Sequence, residues 1–266
     1  EIEGTDAGDS GISIVRNSDN ASPPSLNLGK SRATSVGGVT IVQADDVLGS
    51  IGFAGADGTN LQHNAAEIRG EVDGTPGEND MPGRIVFKTT ADGSASTSER
   101  ARITRDGKFL IGSTAVRTIG GSSASCHLQV EGTTTNTSSV SLINNQNATN
   151  SSVLRFGKTR GTSTGAVTTV ADGDKLGAIT FAGADGTDLE NDTARIGVVV
   201  NGTVSSNTIP TDLTFETSAT TGNARTERVR ITSGGNVGIN QANPTAKRQV
   251  TGGGAYTVAN SGRSVE

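Results

Sequence analysis

The chain contains a long internal repeat. Residues 2–112 align with residues 130–240 at a constant offset, without an insertion or a deletion. The clearest block, residues 53–59, returns unchanged as residues 181–187. Over residues 12–112, about 40 of 101 positions are identical to their counterparts. A catalyst rarely needs its chemistry duplicated in series, whereas a shaft or a repeated binding surface gains length or valency. The repeat therefore favours an architectural role.

Each repeat has few large apolar side chains with which to build a core of its own. Apolar residues make up 32% of the 266 residues, with 37 glycines, one tyrosine and no tryptophan. Disorder is the first explanation for such a composition. However, the net charge is only −5 and the apolar residues are patterned. We therefore expect the missing burial to come from identical chains, since oligomerisation stabilises folds whose single-chain core is thin.

Composition and charge exclude several classes of protein. The single cysteine, Cys126, rules out an intrachain disulfide framework. The acidic balance, with a sequence pI of about 5.2, argues against nucleic acid as a partner, because wrapping nucleic acid needs clustered Lys and Arg. No apolar run approaches the roughly 20 residues that a membrane-spanning helix requires, so no membrane insertion is expected.

Apolar and polar residues alternate over short stretches, which is typical of strands with one buried face. No stretch has sustained helical spacing, and Asp-Gly pairs suited to tight turns separate several of the stretches. The pattern predicts an all-β chain. In the first repeat the alternating residues are Ile12/Ile14, Leu26/Leu28, Ile51/Phe53, Ile68/Val72, Ile85/Phe87, Ala101/Ile103 and Phe109/Ile111. In the second they are Val140/Leu142, Leu154/Phe156, Ile179/Phe181, Ile196/Val198/Val200, Leu213/Phe215, Val229/Ile231 and Val237/Ile239.

The predicted organisation is two tandem 128-residue repeats joined by a linker. The first repeat covers residues 2–112, the linker residues 113–129 and the second repeat residues 130–240. Residues 241–266 are expected to connect to a following module. The linker is rich in Ser, Thr and Gly, and the equivalent stretch after the second repeat, residues 241–249, is about eight residues shorter.

Several segments of the repeats resemble a known family. Residues 227–239, followed by residues 243–247, are similar to the repeat that ends shaft modules in bacteriophage tail fibre proteins. Residues 176–186 and 71–77 also look like that family, and the resemblance covers nearly the whole chain twice. The first repeat departs from the pattern at residues 105–110 and has no Asn-Pro-Thr after it.

The resemblance implies an elongated, intertwined homotrimer with β-prism or triple β-helix segments and small β domains. The implied function is a non-catalytic shaft segment of a trimeric phage tail fibre involved in host adsorption. Its location would be the virion tail fibre, and its partners would be its own copies and other tail or baseplate proteins. A host-surface glycan or protein could also be a partner. A stalk on a bacterial injection machine or an adhesin is a further alternative.

One charged motif is preserved between the two repeats more closely than any other charged motif. We interpret it as an interchain ladder that fixes strand register, because arginines fork onto carboxylates with defined geometry. The alternative is a receptor-facing patch. The motif comprises Glu99, Arg100 and Arg102 in the first repeat and Glu227, Arg228 and Arg230 in the second.

No catalytic, cofactor-binding or metal-binding residue is predicted. His63 and His127 do not recur in the second repeat, which excludes a Ser-His-Asp site in each. Neighbouring side chains in a strand point to opposite faces, so Cys126 and His127 cannot both face a threefold axis. The carboxylates at 172–174 and 185–188 lack the spacing of a calcium loop, and capped turns explain them better.

Two functional alternatives remain open from the sequence. In the first, a host-receptor binding module, loops 75–83 and 203–211 would contact surface glycans or proteins. In the second, a polysaccharide depolymerase, paired carboxylates would need only to lie roughly 5–10 Å apart. The scarcity of aromatic rings argues against both a sugar-cleaving groove and a strong carbohydrate-binding tip.

Overall fold

The computed structural model describes residues 2–5, 10–121, 125–219 and 224–252. Over these residues the fold is all-β, as predicted: twelve strands form two six-stranded sheets, and a single 3-10 turn at Thr135–Thr137 is the helical element. No helix in the described ranges is both long and apolar enough to cross a bilayer. The chain divides into two compact units. Glu1–Val116 and His127–Ser139 form the first, and Arg117–Cys126 and Val140–Glu266 form the second.

The first unit contains one sheet whose strands lie in chain order. Neighbouring strands are antiparallel from β1 to β5, whereas the last strand, β6, runs parallel to β5. The strands are β1 (Val47–Ala54), β2 (Asn64–Val72), β3 (Gly83–Thr90), β4 (Thr97–Ile103), β5 (Phe109–Ile111) and β6 (Leu128–Val130).

The second unit contains a sheet of the same topology. Its order is again sequential, with antiparallel pairs up to β11 and a parallel pair of β11 and β12. The strands are β7 (Lys175–Gly183), β8 (Asn191–Val200), β9 (Thr211–Ser218), β10 (Arg225–Ile231), β11 (Val237–Ile239) and β12 (Arg248–Val250).

The sixth strand of each sheet lies outside the limits drawn from the sequence. β6 (Leu128–Val130) spans the end of the predicted linker and the first residue of the predicted second repeat. β12 (Arg248–Val250) lies in the predicted connection 241–266, of which residues 253–266 are outside the described residues. The connection that leads to the parallel strand comprises residues 112–127 between β5 and β6 and only residues 240–247 between β11 and β12.

The predicted strands around Ile12, Leu26, Val140 and Leu154 are not strands in the structure. In the described part of the chain, residues 10–43 and 140–170 contain no strand. Alternation predicts an extended backbone with one apolar side, but a strand also needs a neighbouring edge for its N–H and C=O groups. We call residues 10–46 and 140–174 the first and second arms.

Tight turns form at the positions where Asp-Gly pairs predicted them. Asp57 Oδ1 accepts hydrogen bonds from the backbone N–H groups of Thr59 (2.7 Å) and Asn60 (2.9 Å), and Gly58 has φ +91°. Asp185 caps the equivalent turn, with bonds of 2.8 and 3.2 Å from residues 187 and 188. The side chain of Asp satisfies the turn donors while glycine adopts the left-handed backbone.

The apolar core inside each unit is small. Among the described residues, the large apolar side chains that are buried are Val42, Val72, Val86 and Leu110 in the first unit and Val170 and Val200 in the second. Full burial of one such side chain contributes about 1.5–3 kcal/mol. Each unit therefore obtains little stability from an apolar core of its own, as the composition predicted.

Candidate assembly surface

A row of apolar residues crosses all six strands of the first sheet. Each member lies directly opposite the next in the strand register, so all of them project from the same face. The cross-strand neighbours form a continuous apolar band perpendicular to the strands. The row consists of Ile51, Ile68, Phe87, Ala101, Ile111 and Val130.

The second sheet has the same band. Its members are again paired one to one across the strands, and every one of them is apolar. Alternation of side chains along each strand places the band on a single face. The row consists of Ile179, Ile196, Phe215, Val229, Ile239 and Val250.

The apolar band is more exposed than the charged face behind it. Ile51 is 50% exposed and Ile179 is 47% exposed. On the opposite face, by contrast, Arg102 is 8% exposed and Asp212 is fully buried. A soluble single chain normally buries its apolar face and leaves charged groups in water. Two buried apolar residues, Val86 and Leu110, also lie on that opposite face. The exposed band is an apolar patch of the kind that is typical of interaction surfaces.

An ion pair within each arm ties it to the residue that immediately precedes the first strand of its sheet. Arg32 binds Asp46 with two hydrogen bonds, both of 2.7 Å, and Arg160 binds Asp174 with bonds of 2.7 and 2.9 Å. The hydrogen bonds from each guanidinium hold the pKa of the Asp46 and Asp174 carboxyls far below their usual range. This bidentate geometry is the strong form of an Arg–carboxylate pair.

Each arm also packs against a glycine in the first strand of its sheet. Leu28 lies so close to Gly49 that a side chain at position 49 would collide with its Cβ atom. Phe156 lies against Gly177 in the same way. Both arms expose further apolar residues, which extend the uncovered surface. They are Ile12, Ile14, Val15, Leu26, Val36, Val39 and Ile41 in the first arm and Val140, Leu142, Ile143, Val153, Leu154 and Val167 in the second.

The charged residues predicted from the sequence are all bonded within the chain. Glu99 and Arg102 form a two-pronged pair, with a distance of 2.7 Å from Nη2 to Oε2, and Arg100 Nε donates to the Thr89 hydroxyl at 2.9 Å. The second unit repeats this pattern: Glu227 pairs with Arg230, and Arg228 donates to Thr217. The single-chain structure therefore brings Glu99 together with Arg102, and Glu227 together with Arg230, whereas Arg100 and Arg228 bond to threonines. Interchain contact remains a prediction.

Sequence reasoning missed a larger charged cluster around Arg84. Its guanidinium contacts Asp45 (2.8 Å), Glu71 (2.7 Å) and Asp73 (3.3 Å), and its side chain is 11% exposed. Burial works against its charge, but hydrogen bonds to Asp45 and Glu71 raise the pKa of Arg84. The residues come from three separate segments, so no local motif could have revealed the cluster.

The second unit has Asp212 at the position of Arg84, and the cluster there is reorganised. Asp212 accepts hydrogen bonds from Arg230 Nη1 (2.7 Å), Asn201 Nδ2 (2.6 Å) and the backbone N–H of Ser233 (3.0 Å). In the first unit Asp73 accepts the corresponding backbone bond, from Arg105 at 2.8 Å. Alignment of the two repeats carries a sign of this difference, because the positively charged Arg84 aligns with the negatively charged Asp212.

The remaining candidates are structural. Asp185 caps its turn, and Asp174 pairs with Arg160 and also accepts a hydrogen bond from the backbone N–H of Ala171. Cys126 is exposed. No cluster of three or more potential metal ligands exists in the ranges that the structure describes.

Loops 75–83 and 203–211 share a backbone conformation but differ in chemistry. Gly77 pairs with Asp80 in an isolated bridge, as Ser205 does with Thr208. Asn79 and Asn207 occupy the left-handed region, with φ of 57° and 58°. The first loop carries Glu78 and Asp80, whereas the second has no charged residue. One scaffold thus presents two different surfaces.

Comparison with solved structures relates this fold to viral fibres. The chain is similar to the carboxy-terminal domain of the bacteriophage T5 L-shaped tail fibre, with a TM-score of 0.69 and 13% identity over 96% of this chain and all of that one. It is also similar to that domain with its intramolecular chaperone domain, with a TM-score of 0.66 and 13% identity over 96% of this chain and 69% of the other. No family model and no curated protein matches the sequence. At this identity the likeness concerns the fold.

Proposed function

We propose that the chain is a structural shaft segment of a homotrimeric phage tail fibre that takes part in host adsorption without catalysis. The observation that carries the proposal is the apolar band that each sheet leaves exposed. The fold likeness to a tail fibre domain supports the viral setting. Its location would be the tail of the virion, and its partners would be two further copies and neighbouring tail or baseplate proteins.

The two bands suit a trimer because of their length and continuity. Three copies arranged around an axis would bring six apolar residues per sheet into contact with their equivalents. β1 is the edge strand of its sheet, and an edge of eight residues is a template for another chain. In the intertwined arrangement the exposed arm before each sheet would supply a β-prism or triple β-helix segment.

The test is the mass of the purified chain in sedimentation equilibrium. We expect three times the mass of one chain. Ile51→Lys combined with Ile179→Lys should shift the distribution to smaller species, because each introduces a charge into a band. Ser50→Lys combined with Thr180→Lys is the matched control, since these exposed neighbours lie on the opposite face of the same strands. A folded monomer of the unaltered chain would contradict the proposal.

A second candidate function, host-receptor binding, is favoured by loops 75–83 and 203–211. Their common backbone and different side chains suit recognition of a glycan or protein. Exchange of the two loop sequences should alter adsorption to host cells while the trimer persists. Replacement of Thr203–Thr211 by a Gly/Ser loop of equal length is a further variant. Unchanged adsorption with both variants would contradict receptor binding by these loops, and the shaft role would then be the one function proposed.

The depolymerase alternative needs a pair of available carboxylates. Two of the acidic residues are already engaged, because Arg32 pairs with Asp46 and Asp185 caps a turn. Incubation of the purified trimer with host polysaccharide should release no reducing sugar. Release of sugar that disappears after substitution of one carboxylate pair, in a variant that still forms the trimer, would establish an enzyme.

A further inference from the structure

The turn after β8 contains the only Asn-Gly pair in the sequence, Asn201–Gly202. In such a pair the backbone nitrogen of glycine attacks the Asn side-chain carbonyl carbon. Ammonia leaves, and a five-membered succinimide remains. Water then opens the ring to aspartate or isoaspartate, so that the net change is the uptake of one water and the loss of one ammonia. Glycine has no side chain to hinder the attack. Asn201 and Gly202 are both exposed to solvent.

Both reacting groups of this pair are held by carboxylates. Asn201 Nδ2 donates to Asp212 Oδ2 at 2.6 Å, and the backbone N–H of Gly202 donates to Asp172 Oδ1 at 2.7 Å. The side-chain amide and the attacking nitrogen are thus each committed to a different partner. Ring closure requires that the two bonds open and the groups turn towards each other.

The two carboxylates are themselves well anchored. Asp212 is fully buried and is held by Arg230 and by the backbone of Ser233. Asp172 lies in a turn tied to the end of β8, where Gly173 N–H donates to the Val200 carbonyl at 2.8 Å. Attack also requires the backbone nitrogen to lose its proton. The negative charge of Asp172 beside that nitrogen disfavours the resulting anion.

The first unit indicates what deamidation would do. The counterpart of Asn201 is Asp73, an acid, and Arg84 lies 3.3 Å from it. In the second unit the position of Arg84 is occupied by Asp212. Conversion of Asn201 to Asp would therefore replace a hydrogen bond of 2.6 Å by two adjacent carboxylates. Like charges at that distance repel strongly when one of them is buried.

We propose that Asn201 is a latent deamidation site, which Asp172 and Asp212 keep closed in the native fold. The site opens when the second unit loosens. Its product weakens the end of β8 because Asp212 cannot neutralise it. Deamidation at Asn201 therefore accumulates as this unit unfolds, and the covalent change remains after refolding.

The test uses the full-length chain and peptide mapping by mass spectrometry. Incubated folded at mildly alkaline pH, the chain should deamidate at Asn201 at least about tenfold more slowly than in denaturant, since two charge-assisted hydrogen bonds must open first. The pair Asn150–Ser151 lies in the exposed second arm and serves as an internal reference. Equal rates for folded and unfolded chain at Asn201 would overturn the proposal.

Substitution of the exposed Asp172 separates the hydrogen bond from the charge. Asp172→Ala removes both, and deamidation at Asn201 in the folded chain should accelerate several-fold while the rate at Asn150 stays unchanged. Asp172→Asn retains an acceptor without the charge and should give an intermediate rate. Circular dichroism checks that each variant is folded. Rates equal to that of the unaltered chain in both variants would show that Asp172 has no protective role.

The consequence is tested with the product installed directly. Asn201→Asp should lower the thermal midpoint at neutral pH by more than Asn201→Ser. The Ser variant loses the hydrogen bond to Asp212 without adding a charge. An Asp variant as stable as the Ser variant would contradict the predicted carboxylate repulsion.

Discussion

At the scale of the residue, the two units place opposite charges at equivalent positions. Arg84 corresponds to Asp212 at the offset of the repeat. The cross-strand pair Glu67–Lys88 likewise becomes Arg195–Glu216, with both signs exchanged. The partners change together with the central residue: the counterparts of Asp45, Glu71 and Asp73 are all uncharged, and Asp212 is bonded to Arg230 instead. Each central charge therefore keeps at least one partner of opposite sign, which a buried charge requires.

Arg84 is the residue whose loss should harm the first unit most. Arg84→Ala leaves Asp45, Glu71 and Asp73 close together without their common cation, and we expect a loss of about 3 kcal/mol in the free energy of unfolding. Denaturant titration at fixed protein concentration measures it. Arg100→Ala is the matched control, because Arg100 makes one exposed hydrogen bond to Thr89, and it should cost under about 1 kcal/mol. Equal losses of unfolding free energy in the two variants would show that the Arg84 cluster stabilises the unit no more than a single exposed hydrogen bond does.

We call the ion pairs Arg32–Asp46 and Arg160–Asp174 the arm clasps. We expect these ion pairs to break in acid, when the carboxylates become protonated. The pKa values of Asp46 and Asp174 are depressed in the folded chain. Their contribution to stability is therefore present above the ordinary Asp value of about 4 and is lost as pH falls below it through the folded pKa. Hydrogen exchange at the backbone amides of Arg32 and Arg160, corrected for intrinsic rates, should accelerate below about pH 4.

The Arg32→Gln and Arg160→Gln variants provide the comparison for this pH effect. They lack the clasps, so exchange in their arms should already be fast at neutral pH and should change little in acid. Arms that stay protected at neutral pH in both variants would mean that the clasps do not hold them.

At the scale of the element, the crossover to the parallel strand begins with a left-handed residue in both units. Gly112 has φ +76° and its counterpart Asn240 has φ +50°. A side chain at position 112 would also collide with the carbonyl oxygen of Glu131. Gly112→Ala should therefore cost about 1–3 kcal/mol, seen as a lower thermal midpoint.

Two substitutions bracket this prediction about Gly112. Gly29→Ala should be nearly neutral, because no atom lies within 4 Å of the place that its new methyl group would occupy and its φ is not positive. Asn240→Gly should also have little effect, since glycine accepts the same backbone. A Gly112 variant as stable as the Gly29 variant would contradict the expected strain.

Local pattern predicted the strands with local partners. Ile51/Phe53 and Phe109/Ile111 lie in β1 and β5, as their alternation indicated. Ile12 and Leu26 alternate equally well, but their segment has no neighbouring strand within the described chain. The sixth strands were missed because they lie in the segments that were interpreted as the linker and the following connection. The Arg84 cluster was missed because distant segments assemble it.

At the scale of the whole molecule, stability should depend on concentration. The buried apolar side chains of the described units are few, whereas the apolar bands and arms are open. If association covers them, mass action raises the unfolding midpoint with protein concentration. Calorimetry over two decades of concentration should show this rise. The Ile51→Lys and Ile179→Lys double variant should show none. A midpoint independent of concentration in the unaltered chain would indicate that each copy is stable alone.

The unequal crossovers have a practical consequence. Residues 112–127 and residues 240–247 lead into the same parallel pairing, although one connection is twice as long as the other. The sheet therefore places no strict demand on the length of this connection, which agrees with the slow growth of closure entropy with loop length. A foreign epitope or fluorescent tag grafted between β11 and β12 should leave the architecture intact, which makes this site a natural handle for engineering.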